Sequence, residues 1–143
     1  MSRPNATAHI SGSDISPSIS GEVRFYQQRG GVLIVADISD LPNNESGFYG
    51  FHIHEGYDCS GENFANTGNH YNPSSLPHPR HAGDMPPLIY CNGNAFLAFM
   101  TDRFGIEEII GRTVVIHSGQ DDFKTQPSGD VGTKIACGVI VKR

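Results

Sequence analysis

Apolar and polar residues alternate with a period of two along much of this chain. Over Gly21–Gln28, Val23 and Phe25 fall on one face and Glu22, Arg24 and Tyr26 on the other, the pattern of a half-buried strand. Arg29-Gly30-Gly31 is a hairpin signal, and Val32–Ile38 is the returning strand. Ala6–Ser11 is a short run of mixed alternation, and Asp14–Ser20, with Pro17 among serines, is turn-like. Further strands are predicted at Phe48–His54, Leu88–Cys91, Ala95–Thr101, Arg112–His117 and Lys134–Val141. Pro42–Gly47 is loop, Asn92-Gly93-Asn94 is a turn, and Gly105–Gly111 turns the chain with one helical turn at Ile106–Ile109. No longer helical period is present. About eight strands at short spacing predict an all-β fold, an eight-stranded Greek-key barrel or immunoglobulin-like sandwich. Two long loops interrupt it, Glu55–Pro87 and Ser118–Thr133.

Composition narrows the picture. The 143 residues suit one domain spanning 1–143. Seventeen glycines and nine prolines supply the turns that a β-rich fold needs. The net charge is −5 and no basic run occurs, which argues against nucleic acid or an anionic membrane as partner. No apolar run approaches the roughly 20 residues that span a bilayer. The N-terminal stretch MSRPNATAHISGS has no signal-peptide apolar segment. The chain therefore reads as cytoplasmic, or as secreted or periplasmic if a leader has been cleaved.

The histidines change the picture most. Five of the seven lie between Gly50 and Asp84: His52, His54, His70, His78 and His81. His52 and His54 share a strand face about 6.7 Å apart along it, opposite Phe51 and Ile53. Such a pair can converge on a metal, although a lone His-x-His is as readily surface decoration. His117 ends a strand on the same face as Val115. In the long loop, His70, His78, His81 and Asp84 are spaced H-x7-H-x2-H-x2-D. Three imidazoles and a carboxylate suit tetrahedral zinc. Long structureless loops in compact domains are usually functional or disordered. Metal binding would order this one, because binding free energy becomes folding free energy.

These residues sit in motifs that resemble the copper-zinc superoxide dismutases. The matching pieces are GFHIHE (Gly50–Glu55), GNHYNP (Gly68–Pro73), HAGD (His81–Asp84), GRTVVIH (Gly111–His117) followed by Asp121-Asp122, and ACGVI (Ala136–Ile140). They occur in family order. The resemblance implies copper bound by His52, His54, His70 and His117, and zinc bound by His70, His78, His81 and Asp84. His70 would bridge the two metals. Asp121 is similar to the carboxylate that links His52 to His78, an arrangement that fixes ring orientation and tautomer. His70 and Lys134 would be the catalytic residues, with Lys134 in the place of the family's anion-guiding arginine. The implied reaction is dismutation of superoxide to oxygen and hydrogen peroxide, with copper cycling between two oxidation states and His70 taking up a proton. The implied partner is the superoxide anion, and a homodimer is compatible with the resemblance. At −5 overall, attraction of that anion must come from a local field. Three features depart from the family pattern: the lysine, the two-residue spacing between His78 and His81, and the short loop after His117.

The resemblance also implies a Cys59–Cys137 disulfide, where a reducing cytoplasm would favour two thiols. Closing a loop of 77 intervening residues would contribute about 4–5 kcal/mol by chain-entropy arithmetic. Cys91 has no third partner and reads as a packing residue. The alternative to an enzyme is a non-catalytic copper- or zinc-binding protein, a metal buffer or zinc-only relative. Such proteins are expected to lack a copper ligand, and none is missing here.

Overall fold

A computed structural model describes residues 2–143. Its nine strands are β1 (Ala6–Gly12), β2 (Ser20–Gln28), β3 (Gly31–Ser39), β4 (Phe48–Tyr49), β5 (Phe51–His54), β6 (Leu88–Ile89), β7 (Ala95–Thr101), β8 (Thr113–His117) and β9 (Lys134–Lys142). One helical turn, α1 (Ile106–Ile109), lies where the sequence predicts it. A short 3-10 helix at Glu62–Thr67 was not predicted. Its Asn63 and Phe64 adopt left-handed backbone conformations, so it leaves no regular helical period in the sequence.

Seven strands form one curled antiparallel sheet in the order β5-β8-β9-β1-β2-β3-β7. The Gly30 turn sets the β2–β3 register, with Val23 opposite Ala36 and Phe25 opposite Ile34. β4 and β6 make a small second sheet. β6 packs beside β7, and β4 runs into β5 through Gly50, so the small sheet spans the two edges of the large one. The inward alternation of every long strand fills the interior with Val23, Phe25, Ile34, Phe51, Ile53, Val114, Ile116 and Ile140. Burying an aliphatic or aromatic side chain of this kind contributes roughly 1.5–3 kcal/mol.

Two expectations change, those for Phe48–His54 and Cys91, while the Ala6–Ser11 run is a strand. Phe48–His54 is not one strand but two, because the chain changes partners at Gly50. Phe48 and Tyr49 pair with β6, whereas Phe51–His54 pair with β8. At the switch, the Gly50 carbonyl accepts from the His117 amide (2.8 Å) and the Gly50 amide donates to Gly119 O (2.9 Å). Ala6–Ser11 lies within β1, which runs between β9 and β2. Ala6, Thr7 and Ala8 are all buried there, which blurs the alternation. Cys91 is exposed rather than packed, because β6 ends at Ile89 and Cys91 begins the tight turn to Asn94.

Candidate metal centre

β5 is an edge strand of the large sheet, and the long loop covers its free side. Tyr71 N donates to Ile53 O (2.8 Å), Ile53 N to Gly83 O (2.9 Å) and Glu55 N to Asn69 O (2.8 Å). This pairing brings His70 against His54, and Asp84 against His52, as isolated β-bridges. On the other side of β5, strand β8 delivers His117. Phe51 and Ile53 enter the core, while His52 and His54 lie on the opposite face under the loops, 0% and 2% exposed.

Two four-residue groups result. His52, His54, His70 and His117 form one, and His70, His78, His81 and Asp84 form the other. Within each, one donor atom per residue lies within 4.8 Å of all the others. His70 belongs to both. Its Nδ1 is 2.8 Å from Asp84 Oδ1 and 3.2 Å from His81 Nδ1. Asp84 Oδ2 is 3.0 Å from His78 Nδ1 and 3.3 Å from His81 Nδ1. Donors about 2.0–2.1 Å from a tetrahedral zinc stand about 3.3 Å apart, so this second group is close to that size.

Hydrogen bonds on the far side of each ring decide which nitrogen is free. Asp121, itself buried, accepts from His52 Nε2–H at 2.9 Å and from His78 Nε2–H at 2.8 Å. Gly68 O accepts from His54 Nδ1–H at 2.8 Å. The opposite nitrogens His52 Nδ1 and His54 Nε2 are buried without a hydrogen-bond partner, and His78 Nδ1 faces Asp84 Oδ2. His70 Nε2 is in the same state, whereas Asp84 Oδ1 faces His70 Nδ1. Buried polar atoms without partners are costly. His52 Nδ1, His54 Nε2 and His70 Nε2, free within one group, and the donor atoms of His70, His78, His81 and Asp84, 2.8–3.3 Å apart in the other, fit two metal ions, with tetragonal imidazoles suiting copper and the mixed set suiting zinc.

The electrostatics agree. Burial holds His52 down to about 4, against the opposing pull of Asp121. Burial, followed by neighbouring histidine charge, holds His54 and His117 well below the usual range. His81 is also lowered, chiefly by burial. Burial alone would raise Asp84 and Asp121, but the rings around them outweigh it and keep both carboxyls below their usual range. Neutral rings and ionised carboxylates are the forms that ligate metal.

A cavity of about 450 Å³ opens onto the first group, lined by His54, His70, His117, Glu55, Asn69 and Lys134 among others. A second cavity, of about 440 Å³, lies on the side of Met85, Phe99, Arg103 and Phe123 and reaches only the carboxylates Asp84 and Asp121. Lys134 faces His117 in the sheet register and donates to Thr67 Oγ1 and Gly68 O. Burial lowers the pKa of its amine. A disulfide joins Cys59 to Cys137 and so ties the loop to β9.

Other residues at this site gave no signal in the sequence. Gln126 accepts from the His78 amide (2.9 Å) and donates to the His78 carbonyl (2.8 Å). Arg103 donates to the carbonyls of Pro79 and His81, at 2.7 and 3.3 Å. Gly129 has φ 81°, and a Cβ there would lie 2.1 Å from Asp121 Oδ1. Gln126 and Arg103 act on backbone atoms, and Gly129 acts by leaving space, so residue spacing does not reveal them.

The model of a family described as copper/zinc superoxide dismutase (SODC) matches residues 19–140. The chain is 36% identical to Superoxide dismutase (Cu-Zn) 2 of Aquifex aeolicus over 148 residues, covering 93% of this chain and 85% of that protein. It is 34% identical to Superoxide dismutase (Cu-Zn) of Legionella pneumophila over 142 residues, covering 94% and 85%. It is 32% identical to Extracellular superoxide dismutase (Cu-Zn) of Mus musculus over 136 residues, covering 87% of this chain and 54% of that one.

Proposed function

The chain belongs to the copper/zinc superoxide dismutase family and is an oxidoreductase that dismutes superoxide with copper and zinc, and from this premise we propose how its residues divide the work. Copper would be held by His52, His54, His70 and His117, and zinc by His70, His78, His81 and Asp84. The observation that carries this division is the pair of four-residue groups that share His70, with His52 Nδ1, His54 Nε2 and His70 Nε2 buried and unpartnered. When bound, copper supplies the one-electron exchange that converts superoxide to oxygen in one encounter and to hydrogen peroxide in the next.

The protein's own groups do the rest. Asp121 holds Nε2–H of both His52 and His78, which keeps Nδ1 of each ring facing its ion. His70 Nε2 is the buried atom suited to hold the proton that peroxide formation requires. Lys134 supplies positive charge beside the cavity of His54, His70 and His117, where a chain of net charge −5 would otherwise repel an anion. The single domain spans 1–143, a reading supported by the β1–β9 pairing that joins the two ends of the described chain.

Assembly as a homodimer is supported by Phe96 and Met100, 61% and 51% exposed on edge strand β7, an apolar face that a second copy would cover. The Cys59–Cys137 bridge supports an oxidising compartment over a reducing one. Among the described residues no helix is long and apolar enough to cross a membrane.

The test is metal analysis with anomalous scattering at the copper and zinc edges, alongside a dismutase assay. One copper and one zinc per chain, with copper beside His54 and His117 and full activity, is the expected result. Both metals bound in those places without dismutation would favour a metal buffer instead.

A further inference from the structure

We propose that Thr67 is a positioning residue for Lys134: its hydroxyl, together with the Gly68 carbonyl, holds the ammonium group at the mouth of the copper-side cavity. The inference rests on the reading of Lys134 as the cation that draws in superoxide. A lysine ammonium is a point charge with three donors on a flexible four-carbon stem. Left free, it would spread its charge over many rotamers. Here two donors are used, one on Thr67 Oγ1 at 2.7 Å and one on Gly68 O at 3.0 Å. One N–H remains for an anion in the cavity.

The acceptors are themselves fixed. Thr67 is fully buried and gives its own hydroxyl proton to Phe64 O at 2.8 Å, which leaves an oxygen lone pair for the lysine. Gly56 N donates to Thr67 O at 2.8 Å, and Gly68 N to Ala65 O at 3.2 Å. Gly68 has φ 69°, a left-handed conformation that glycine adopts without strain, and the Glu55 carboxylate accepts from the next amide, Asn69 N, at 3.0 Å. On the lysine side, the Cys59–Cys137 bridge anchors β9 three residues beyond Lys134. The Gly68 carbonyl also accepts from His54 Nδ1–H at 2.8 Å. One oxygen therefore registers the cation against a ring of the copper-side group. Two hydrogen bonds give this lysine the fixed direction that a guanidinium fork would carry in its own geometry.

The test compares wild type with Thr67→Val, which keeps the shape and removes the hydroxyl, and Thr67→Ser, which restores it. Acylation of the Lys134 amine by acetic anhydride is followed by peptide mass spectrometry on zinc-loaded, copper-free protein. In parallel, the dismutation rate constant is measured across ionic strength on fully loaded protein, with metal content and Tm recorded. Thr67→Val should raise Lys134 acylation roughly tenfold, as expected for losing one hydrogen bond to a charged group. It should lower the rate several-fold with an unchanged salt slope, because the charge stays within a Debye length. Thr67→Ser should match wild type in both readouts. Wild-type acylation and rate in Thr67→Val would overturn the proposal. So would equal losses in both variants accompanied by lost metal or lower Tm, which would mark a merely structural role. Lys134→Gln separates the underlying reading: wild-type rate and salt slope there would remove the cation's role in attraction, while the acylation rates would still decide whether Thr67 tethers the amine.

Discussion

His70 and His81 turn their Nδ1 atoms to within 3.2 Å of each other, in a buried site that Asp84 shares. Two facing ring nitrogens at that distance cannot both carry hydrogens, so at least one presents a lone pair, as a metal ligand must. With His70 Nε2 buried and unpartnered on the other side, one ring has a free donor toward each group. His70→Ala should therefore impair both metals, whereas Asp84→Ala should mainly lower zinc. Metal stoichiometry by plasma mass spectrometry checks this, and unchanged copper and zinc in His70→Ala would refute the bridge.

Asp121 accepts from His52 and His78 at once. An asparagine there presents an amide donor to one of the two rings, which then has to move its proton to Nδ1 and lose that donor atom. Asp121→Asn should weaken metal affinity by roughly 10–100-fold, the usual cost of losing such a partner. Gly129→Ala should act in the same direction by crowding Asp121 Oδ1. Competitive chelator titration measures both effects, and wild-type affinity in Asp121→Asn would remove this role.

Acid should destabilise the metal-free protein in a defined window. His52 sits at about 4 when folded against an ordinary 6.5, so the unfolded chain binds the proton more tightly. Stability is intact above the unfolded value, falls as pH drops through 6.5, and stops falling from this source near 4. The loss from His52 alone is on the order of 3 kcal/mol. His54 and His117 add losses of the same sign. The depressed carboxyls of Asp84 and Asp121 extend the decline, since their contribution is present above 3.8 and disappears as they protonate in the folded state. Urea unfolding of metal-free protein from pH 7 to 4 tests this, and a flat midpoint would contradict it.

Removing the metals and reducing Cys59–Cys137 should loosen 55–87 before the barrel opens. The loop keeps its backbone bonds to β5, but the buried donor atoms lose their ions, and the bridge no longer ties the loop to β9. Ligands that bind only the native state stabilise it by mass action. Hydrogen exchange should show rapid labelling across that loop and protected β1, β2 and β9. Equal protection with and without metal and bridge would sink the idea.

Reversing the charge at Lys134 tests the local field. Lys134→Arg should hold or raise the dismutation rate, and Lys134→Glu should lower it by roughly tenfold or more at low salt. Rate constants across ionic strength decide the matter, and equal rates and slopes for lysine and glutamate would make Lys134 a bystander.

Much of this was local enough to read from the chain. Alternation at Val23 and Phe25, the Gly30–Gly31 turn and the Phe51/Ile53 against His52/His54 split are properties of neighbours two residues apart, so the period-two pattern reveals them. The histidine spacings and the five motifs pointed to a family and its metals on the same terms. What only the tertiary structure decided is carried by main-chain atoms and by contacts between residues distant in sequence. The break at Gly50 depends on carbonyl and amide partners from Gly119 and His117. The grip of Gln126 and Arg103 on the histidine loop runs through backbone carbonyls and an amide. Cys91 is exposed because β6 ends two residues earlier. Thr67 meets Lys134 across 67 positions of sequence because the loop folds back along β5 and is bridged to β9. No periodicity encodes such contacts: main-chain polar groups are the same at nearly every residue, and side chains far apart in sequence meet only where the fold brings them together.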